Sequence, residues 1–266
     1  MPSPLYERYL KIQKRKQRFI LAARLSVLAA FLLLWELAAS LGWIDPMLTS
    51  KPSQLIASFR ELAFEGNLFK HTWITGVETL VGIGISMTLG TAIAVLFWWS
   101  TFASKVLDPY VVVLNALPKV ALGPIFYIWL GDRYSIYGMA VAISVIVTII
   151  MVESGFKEIS KTKLKLMESF GATRTQMLRM VLLPASIPHF VATLKVNVGL
   201  TLVGVVMGEF LSSKAGLGYL IIYGGQVFQM TLVMVSIAML ALLSALLYGV
   251  VNLLERIARR RYHYEG

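Results

Sequence analysis

Long apolar runs separated by short polar, often basic, stretches are the dominant pattern of this chain. The first runs from Phe19 to about Trp43, and others lie near 73–98, 106–131, 135–153, 187–211 and 231–255. A hydrocarbon core of ~30 Å needs ~20 helical residues at 1.5 Å each. The pattern therefore predicts an all-α membrane protein with six transmembrane helices. A cleaved signal peptide is the rival reading of the first run, but its apolar region should cover only ~7–15 residues, and this run is longer.

The runs differ in texture. The second carries Gly76, Gly82, Gly84, Gly90, Ala92 and Ala94. Small residues let helix backbones approach closely in lipid, so Gly82 to Gly90 is expected to be a packing face. The third is interrupted by Pro109, Pro118, Gly123 and Pro124. Interior proline removes a helix hydrogen bond, and broken backbone at membrane depth persists only beside protein or a water-filled cavity. Burial of this stretch in the bundle, beside a pathway, is the expectation. Between the first two runs, Leu55, Ile56, Phe59, Leu62 and Ala63 recur at helical spacing after Pro52 and Ser53. That predicts a short helix lying on the membrane surface, with Ser53 able to cap it.

Composition agrees with lipid as the solvent. The 266 residues are 57% hydrophobic and 15% charged, against about 25% charged in soluble domains. With no cysteine there is no disulfide framework, thiolate metal site or cysteine nucleophile. The net charge of +11 reads as topology rather than nucleic-acid binding, because the basic residues cluster between apolar runs. With a cytoplasmic N-terminus, the inner segments hold seventeen Lys/Arg and the outer ones five, a strong positive-inside asymmetry. The organisation expected is a cytoplasmic segment 1–18, a transmembrane domain 19–256 and a cytoplasmic tail 257–266.

The longest inner connection, 154–186, is patterned. Leu164, Met167 and Phe170, then Met177, Leu178 and Val181, place apolar positions at helical spacing between charges, with Gly171 between the two halves. Thr173 or Thr175 can begin the second half. This helix–Gly–helix element leads into a span at Pro184. Two readings fit it: a basic amphipathic helix resting on anionic lipid, or one docking into a groove on a cytoplasmic partner.

Gly171, nine residues, Val181, one residue, then Leu183-Pro184 resembles the cytoplasmic loop of binding-protein-dependent ABC importer permeases, whose pattern is EAA-x3-G-x9-I-x-LP. The chain departs from it at the triplet, where Lys165, Leu166 and Met167 stand; Glu168 follows three residues late. LGWIDPMLTSKPSQLIASF (41–59), LPKVALGPIFYIWLG (117–131) and VVMGEFLSSKAGLGYLI (205–221) are similar to the branch handling nitrate, sulfonates, taurine and bicarbonate. The resemblance implies the type I importer fold and a multi-pass protein of the bacterial inner membrane with both termini cytoplasmic. It implies a second copy of the chain or a homologous permease, two ATPase subunits carrying ATP and Mg, and a periplasmic or lipid-anchored substrate-binding protein. Glu168, Gly171, Val181, Leu183 and Pro184 would then form the ATPase-coupling segment. The chain itself has no G-x-x-x-x-G-K-[ST] phosphate loop, so no catalytic role and no cofactor of its own is expected.

Ionisable groups inside spans are costly and should face the bundle interior or water. Lys119, mid-span beside Asn115 and Pro118, can offer a passing anion a weak stop or serve a structural ion pair. Lys195 and Asn197 can line the same path or hydrogen-bond between helices. Glu209 and Glu78 lie toward the outer side, wet or paired, while Arg24 and Glu36 are explained by snorkelling. His71, His189 and His263 are too scattered for a metal site. A small organic or inorganic anion is the expected solute, with a pyrimidine, another vitamin precursor or an aromatic acid as alternatives. A secondary transporter or channel without an ATPase is the rival of another class; it leaves the 154–186 pattern unexplained.

Overall fold

The computed structural model describes residues 4–45, 49–64 and 67–262. Residues 1–3 of the N-terminal segment, Pro46 in the first connection and residues 263–266 of the tail, including His263, lie outside them. Among the described residues every regular element is helical.

α1 (Pro4–Ser40) starts well before the apolar run and continues through it as one helix. Residues 4–18 of the basic segment are therefore helical and continuous with the first apolar run. α2 (Pro52–Phe64) is the short helix expected in the first connection, but its N-terminus is closed by another helix. Ser53 N–H and Oγ both donate to the Glu36 carboxylate of α1, at 3.0 and 2.8 Å. Glu36 thus supplies the negative charge that a helix N-terminus favours, a role more specific than snorkelling, and Ser53 is its donor rather than the cap.

α3 (Leu68–Trp99) is the second span. The third is broken: α4 (Thr101–Ala116) ends before Pro118, a 3₁₀ turn covers Lys119–Leu122, and α5 (Gly123–Glu158) follows. α5 is not one rod, because Gly131 has φ 72° and ψ −178°. The chain folds back there, so a Cβ on Gly138 would lie 2.8 Å from Leu130 and 3.0 Å from Phe126. Only glycine adopts that backbone freely. Among the described residues five stretches are long and apolar enough to cross a membrane, one of them Lys119–Glu158. Because that stretch is interrupted at Gly131, its two arms can account for two of the six expected spans, α4 with the first turns of α5 as one and the rest of α5 as the other.

The 154–186 connection then holds α6 (Lys161–Ser169), α7 (Arg174–Met177), a π turn over Leu178–Leu182 and α8 (Leu183–Ala185). α9 (Ile187–Ser212), α10 (Leu217–Gln226) and α11 (Met230–Tyr262) complete the fold.

The centre of the bundle is α3, α5 and α9, packed through small residues. A Cβ on Gly82 would sit 2.7 Å from Thr201 and 3.1 Å from Ala140, and one on Gly90 would sit 2.6 Å from Thr148. That is the face expected of the second span. A tighter seam joins α9 to α5: Cβ atoms on Gly204 and Gly208 would each stand 2.6 Å from backbone, at Ala140 Cα and Ile136 Cα. Gly204-x-x-x-Gly208 is a small-residue motif in an apolar helix, and its spacing is legible in the sequence.

Buried hydroxyls stitch the same helices together. Ser86 and Ser144 are 2.6 Å apart, and Ser135 and Ser212 2.8 Å. In contrast, α1 and α4 present apolar side chains outward, and Val111 is the buried position of α4. The broken third span is therefore exposed on the single chain instead of buried in its bundle. In a bilayer such a surface is covered by lipid or by another polypeptide.

Candidate functional site

The 154–186 connection forms a bracket at one end of the bundle. α6 ends in a Schellman arrangement: Gly171 (φ 76°) donates to Glu168 C=O at 2.9 Å, and Ala172 N–H donates to Met167 C=O at 3.0 Å. A left-handed residue was required there, which is why the helix–Gly–helix pattern contains glycine. Thr173 then opens α7 with a capping box, exchanging hydrogen bonds with Gln176.

Two contacts tie this bracket to the spans. The Arg174 guanidinium donates to Trp99 C=O, the last residue of α3, at 2.6 Å. Leu182, fully buried, packs with Ala94 of α3 and Val152 and Phe156 of α5. The π turn places Leu182 inward while the α6 side chains Lys165 and Glu168 remain exposed. Val181 and Leu183 are half-buried and Pro184 exposed. Of the motif positions, then, Glu168, Gly171 and Pro184 face outward and Val181 and Leu183 inward. Leu182, which lies between the motif positions, is the anchor the pattern did not reveal. A force applied to α6 from below would reach α3 through Arg174 and α5 through Leu182.

The candidate pathway residues fall in separate surroundings. Lys119 is half-buried in the 3₁₀ turn, and its Nζ donates to Asn115 C=O at 3.1 Å, a carbonyl exposed by the break. Asn115 itself is exposed. Lys195 pairs with Glu255 of α11 at 2.6 Å, with Nζ 5.9 Å from the Tyr248 ring centroid. Asn197 is fully buried and donates to Thr148 Oγ1 at 2.7 Å, while its Oδ1 and the nearby Thr201 Oγ1 have no hydrogen-bond partner among the described residues.

Glu209 sits in a dense polar knot where α9, α3 and the start of α10 meet. It is buried, accepts from Thr75 Oγ1 at 2.6 Å, and accepts from the backbone N–H groups of Gly218 and Tyr219. The Glu78 carboxyl group lies against that of Glu209, with its Oε2 buried and without a hydrogen-bond partner among the described residues. Thr75 Oγ1 accepts from Leu217 N–H at 2.8 Å, and His71 Nδ1 accepts from Gly216 N–H at 2.9 Å. Four successive backbone donors, Gly216 to Tyr219, thus end on three side chains. Glycine is needed at 216 (φ 112°) and 218 because a Cβ at either would strike Glu209. Of the wet-or-paired alternatives, Glu209 is hydrogen-bonded within the protein, and Glu78 is packed beside it. Among the described residues no cluster of potential ligands could hold a metal ion.

The family model described as the inner membrane component of binding-protein-dependent transport systems matches residues 82–264. The formylaminopyrimidine transport permease protein of Halalkalibacterium halodurans is 29% identical over 71% of this chain and 75% of its own length. The taurine transport system permease protein of Escherichia coli is 22% identical over 96% of each chain. Among solved structures, one of inward-facing conformations of the MetNI methionine ABC transporter superposes with a TM-score of 0.65. It has 19% identity and covers 74% of this chain and 97% of that one. This last likeness concerns the fold.

Proposed function

Because the chain belongs to the family of binding-protein-dependent transport system inner membrane components, we propose that it is the pore-forming permease subunit of an ATP-driven importer of a small anion. The observation that carries the mechanical part is the bracket, in which α6 is held through Arg174–Trp99 and Leu182 to two central spans. Exposed α6 would sit in a cleft of an ATPase subunit. ATP and Mg would be held there, and closure of the ATPase pair would move the bracket and, with it, α3 and α5.

A second copy of the chain, or a homologous permease, would cover the outward apolar face of α4 and complete the pore. A periplasmic or lipid-anchored binding protein would deliver solute at the Glu209 end. The basic asymmetry supports cytoplasmic termini in an inner membrane. In the broken third span, Lys119 would give an anion a brief stop between the two copies. Lys195 and Asn197, held by Glu255 and Thr148, act in this reading by fixing helix positions. Glu209 shapes the outer end.

The relative named for taurine, a sulfonate, supports the anion reading. The formylaminopyrimidine permease relative supports a second one, a neutral pyrimidine as solute. A pull-down from native membrane in mild detergent, followed by subunit mass spectrometry, tests the assembly. An ABC ATPase in equal stoichiometry is expected, with a binding protein whose ligand separates anion from pyrimidine. Repeated recovery of the chain alone would favour a secondary transporter. For the pathway, Lys119→Met should slow anion uptake on the order of tenfold, the equivalent of about 1.4 kcal/mol in the barrier, while the complex still assembles. Unchanged uptake would remove Lys119 from the path.

A further inference from the structure

At the inner end of the bundle, between α4, α5 and α6, lies a cavity of about 500 Å³. Its size falls within the ~300–1,000 Å³ range of small-molecule sites. Three lysines line it, each from a different helix: Lys105 of α4, Lys157 of α5 and Lys161 of α6. The hydroxyl residues Thr101 and Ser104 share the same wall. One acid, Glu153, also lines it, and it is neutralised by Lys157 at 2.7 Å with Ser104 Oγ at 3.5 Å. Lys105 and Lys161 have no carboxylate partner among the described residues. Two uncompensated cations therefore face a cavity in which positive charge exceeds negative.

The remaining walls are apolar. Trp98, Phe156 and Leu164 form them, while the lysines at the rim are exposed. A lone inorganic anion would leave these walls against water. An amphiphile would cover them with its glycerol and upper acyl region while its phosphate met the lysines. Position adds to this: the cavity lies at the ends of spans on the side that the charge asymmetry makes cytoplasmic. Basic pockets between helices on that side suit anionic headgroups, and tryptophan suits the headgroup level.

We propose that this cavity binds the headgroup of an anionic phospholipid from the cytoplasmic leaflet. A lipid seated there touches α4, α5 and α6 together. It would bridge the exposed third span to the bracket and bias the position that the bracket adopts. The inference uses the inside-positive orientation and goes beyond the transport reading.

Native mass spectrometry of the complex, titrated with phosphatidylglycerol against phosphatidylcholine, reads the site directly. Retention should favour phosphatidylglycerol. Lys105→Gln with Lys161→Gln should weaken it about thirtyfold, about fivefold for each lysine near an anionic surface. The control pair Lys163→Gln with Lys165→Gln, on the same helix but not lining the cavity, should leave it unchanged. Equal losses in both pairs would mean diffuse surface attraction and would overturn the site. Displacement of the lipid by millimolar inorganic phosphate or glycerol phosphate would also overturn it, in favour of a soluble anion site. In the unaltered complex, a photoreactive phosphatidylglycerol should crosslink to peptides containing 98–105 and 153–164. Crosslinks confined elsewhere would sink the proposal without recourse to any variant.

Discussion

Replacing Gly204 by leucine is expected to separate α5 from α9 and to leave almost no folded protein in the membrane. A Cβ at 204 would stand 2.6 Å from Ala140 Cα and 3.0 Å from Met139 C=O. Both are backbone atoms, so no side-chain rotation relieves the clash. Overpacking costs ~1–3 kcal/mol where neighbours can shift, and a backbone contact in the central helix pair lies at or beyond that upper end. In lipid there is little hydrophobic drive to hold separated helices together, since close packing itself supplies the association. Gly208 repeats the contact at Ile136 Cα, 2.6 Å, so the double Gly204→Leu, Gly208→Leu chain should be lost entirely. The measurement is protein yield in membranes together with the unfolding midpoint of the detergent-purified complex. Gly199 is the internal control: it lies on the same helix, and a Cβ there meets nothing within 4 Å. Gly199→Ala should be neutral or slightly stabilising, because alanine outranks glycine in a helix interior by ~1 kcal/mol. If Gly204→Leu accumulated as well as Gly199→Ala, close packing of α5 on α9 would be wrong.

Glu209→Leu should produce the second large loss. The carboxylate accepts from Thr75 Oγ1 and from the Gly218 and Tyr219 N–H groups, and it meets Glu78. Leucine accepts none of these. Each buried donor left without a partner costs ~1–3 kcal/mol, and several are orphaned together. An unfolding midpoint lower by on the order of 10 °C is expected, with new protease cleavage in 213–218 as that connection loses its anchor. Thr75 would keep its second bond, to His71 C=O at 3.2 Å, so α3 itself should stay helical. Glu209→Gln retains one acceptor oxygen but turns an amide N–H₂ toward backbone donors, and its loss should be roughly half as large. A Glu209→Leu chain that unfolds within about 2 °C of the parent, roughly 1 kcal/mol, with unchanged cleavage, would show that Glu209 does not hold the 213–218 connection.

The two substitutions act on different physical terms. Gly204 matters because nothing but a hydrogen fits between two backbones. Glu209 matters because the Gly218 and Tyr219 N–H groups, in the mostly buried run from Gly216, end on its carboxylate. Together they describe a centre packed on small residues, closed at one end by a polar knot. At the other end a bracket reaches α3 through Arg174 and α5 through Leu182.

The spans, the break in the third of them and the helix–Gly–helix bracket were legible in the linear chain. Each rests on a local requirement: enough consecutive apolar residues to cross hydrocarbon, prolines that cannot donate, and a glycine able to take φ 76° at residue 171. The same locality explains the capping of α7 by Thr173. Sequence spacing could not decide which polar groups meet. Lys195 found Glu255 sixty positions away, and Asn197 found Thr148 across forty-nine. Glu209 found Thr75 across 134. Nor could it show that the broken span lies on the outside of the single chain, or that Leu182 rather than Val181 is the anchor, since a π turn shifts the inward face by one position. Apolar length and backbone chemistry are properties of neighbours along the chain, so the sequence alone determined them. Partnership between buried polar groups depends on how the helices rotate and slide against one another, and only their packing in three dimensions decided that.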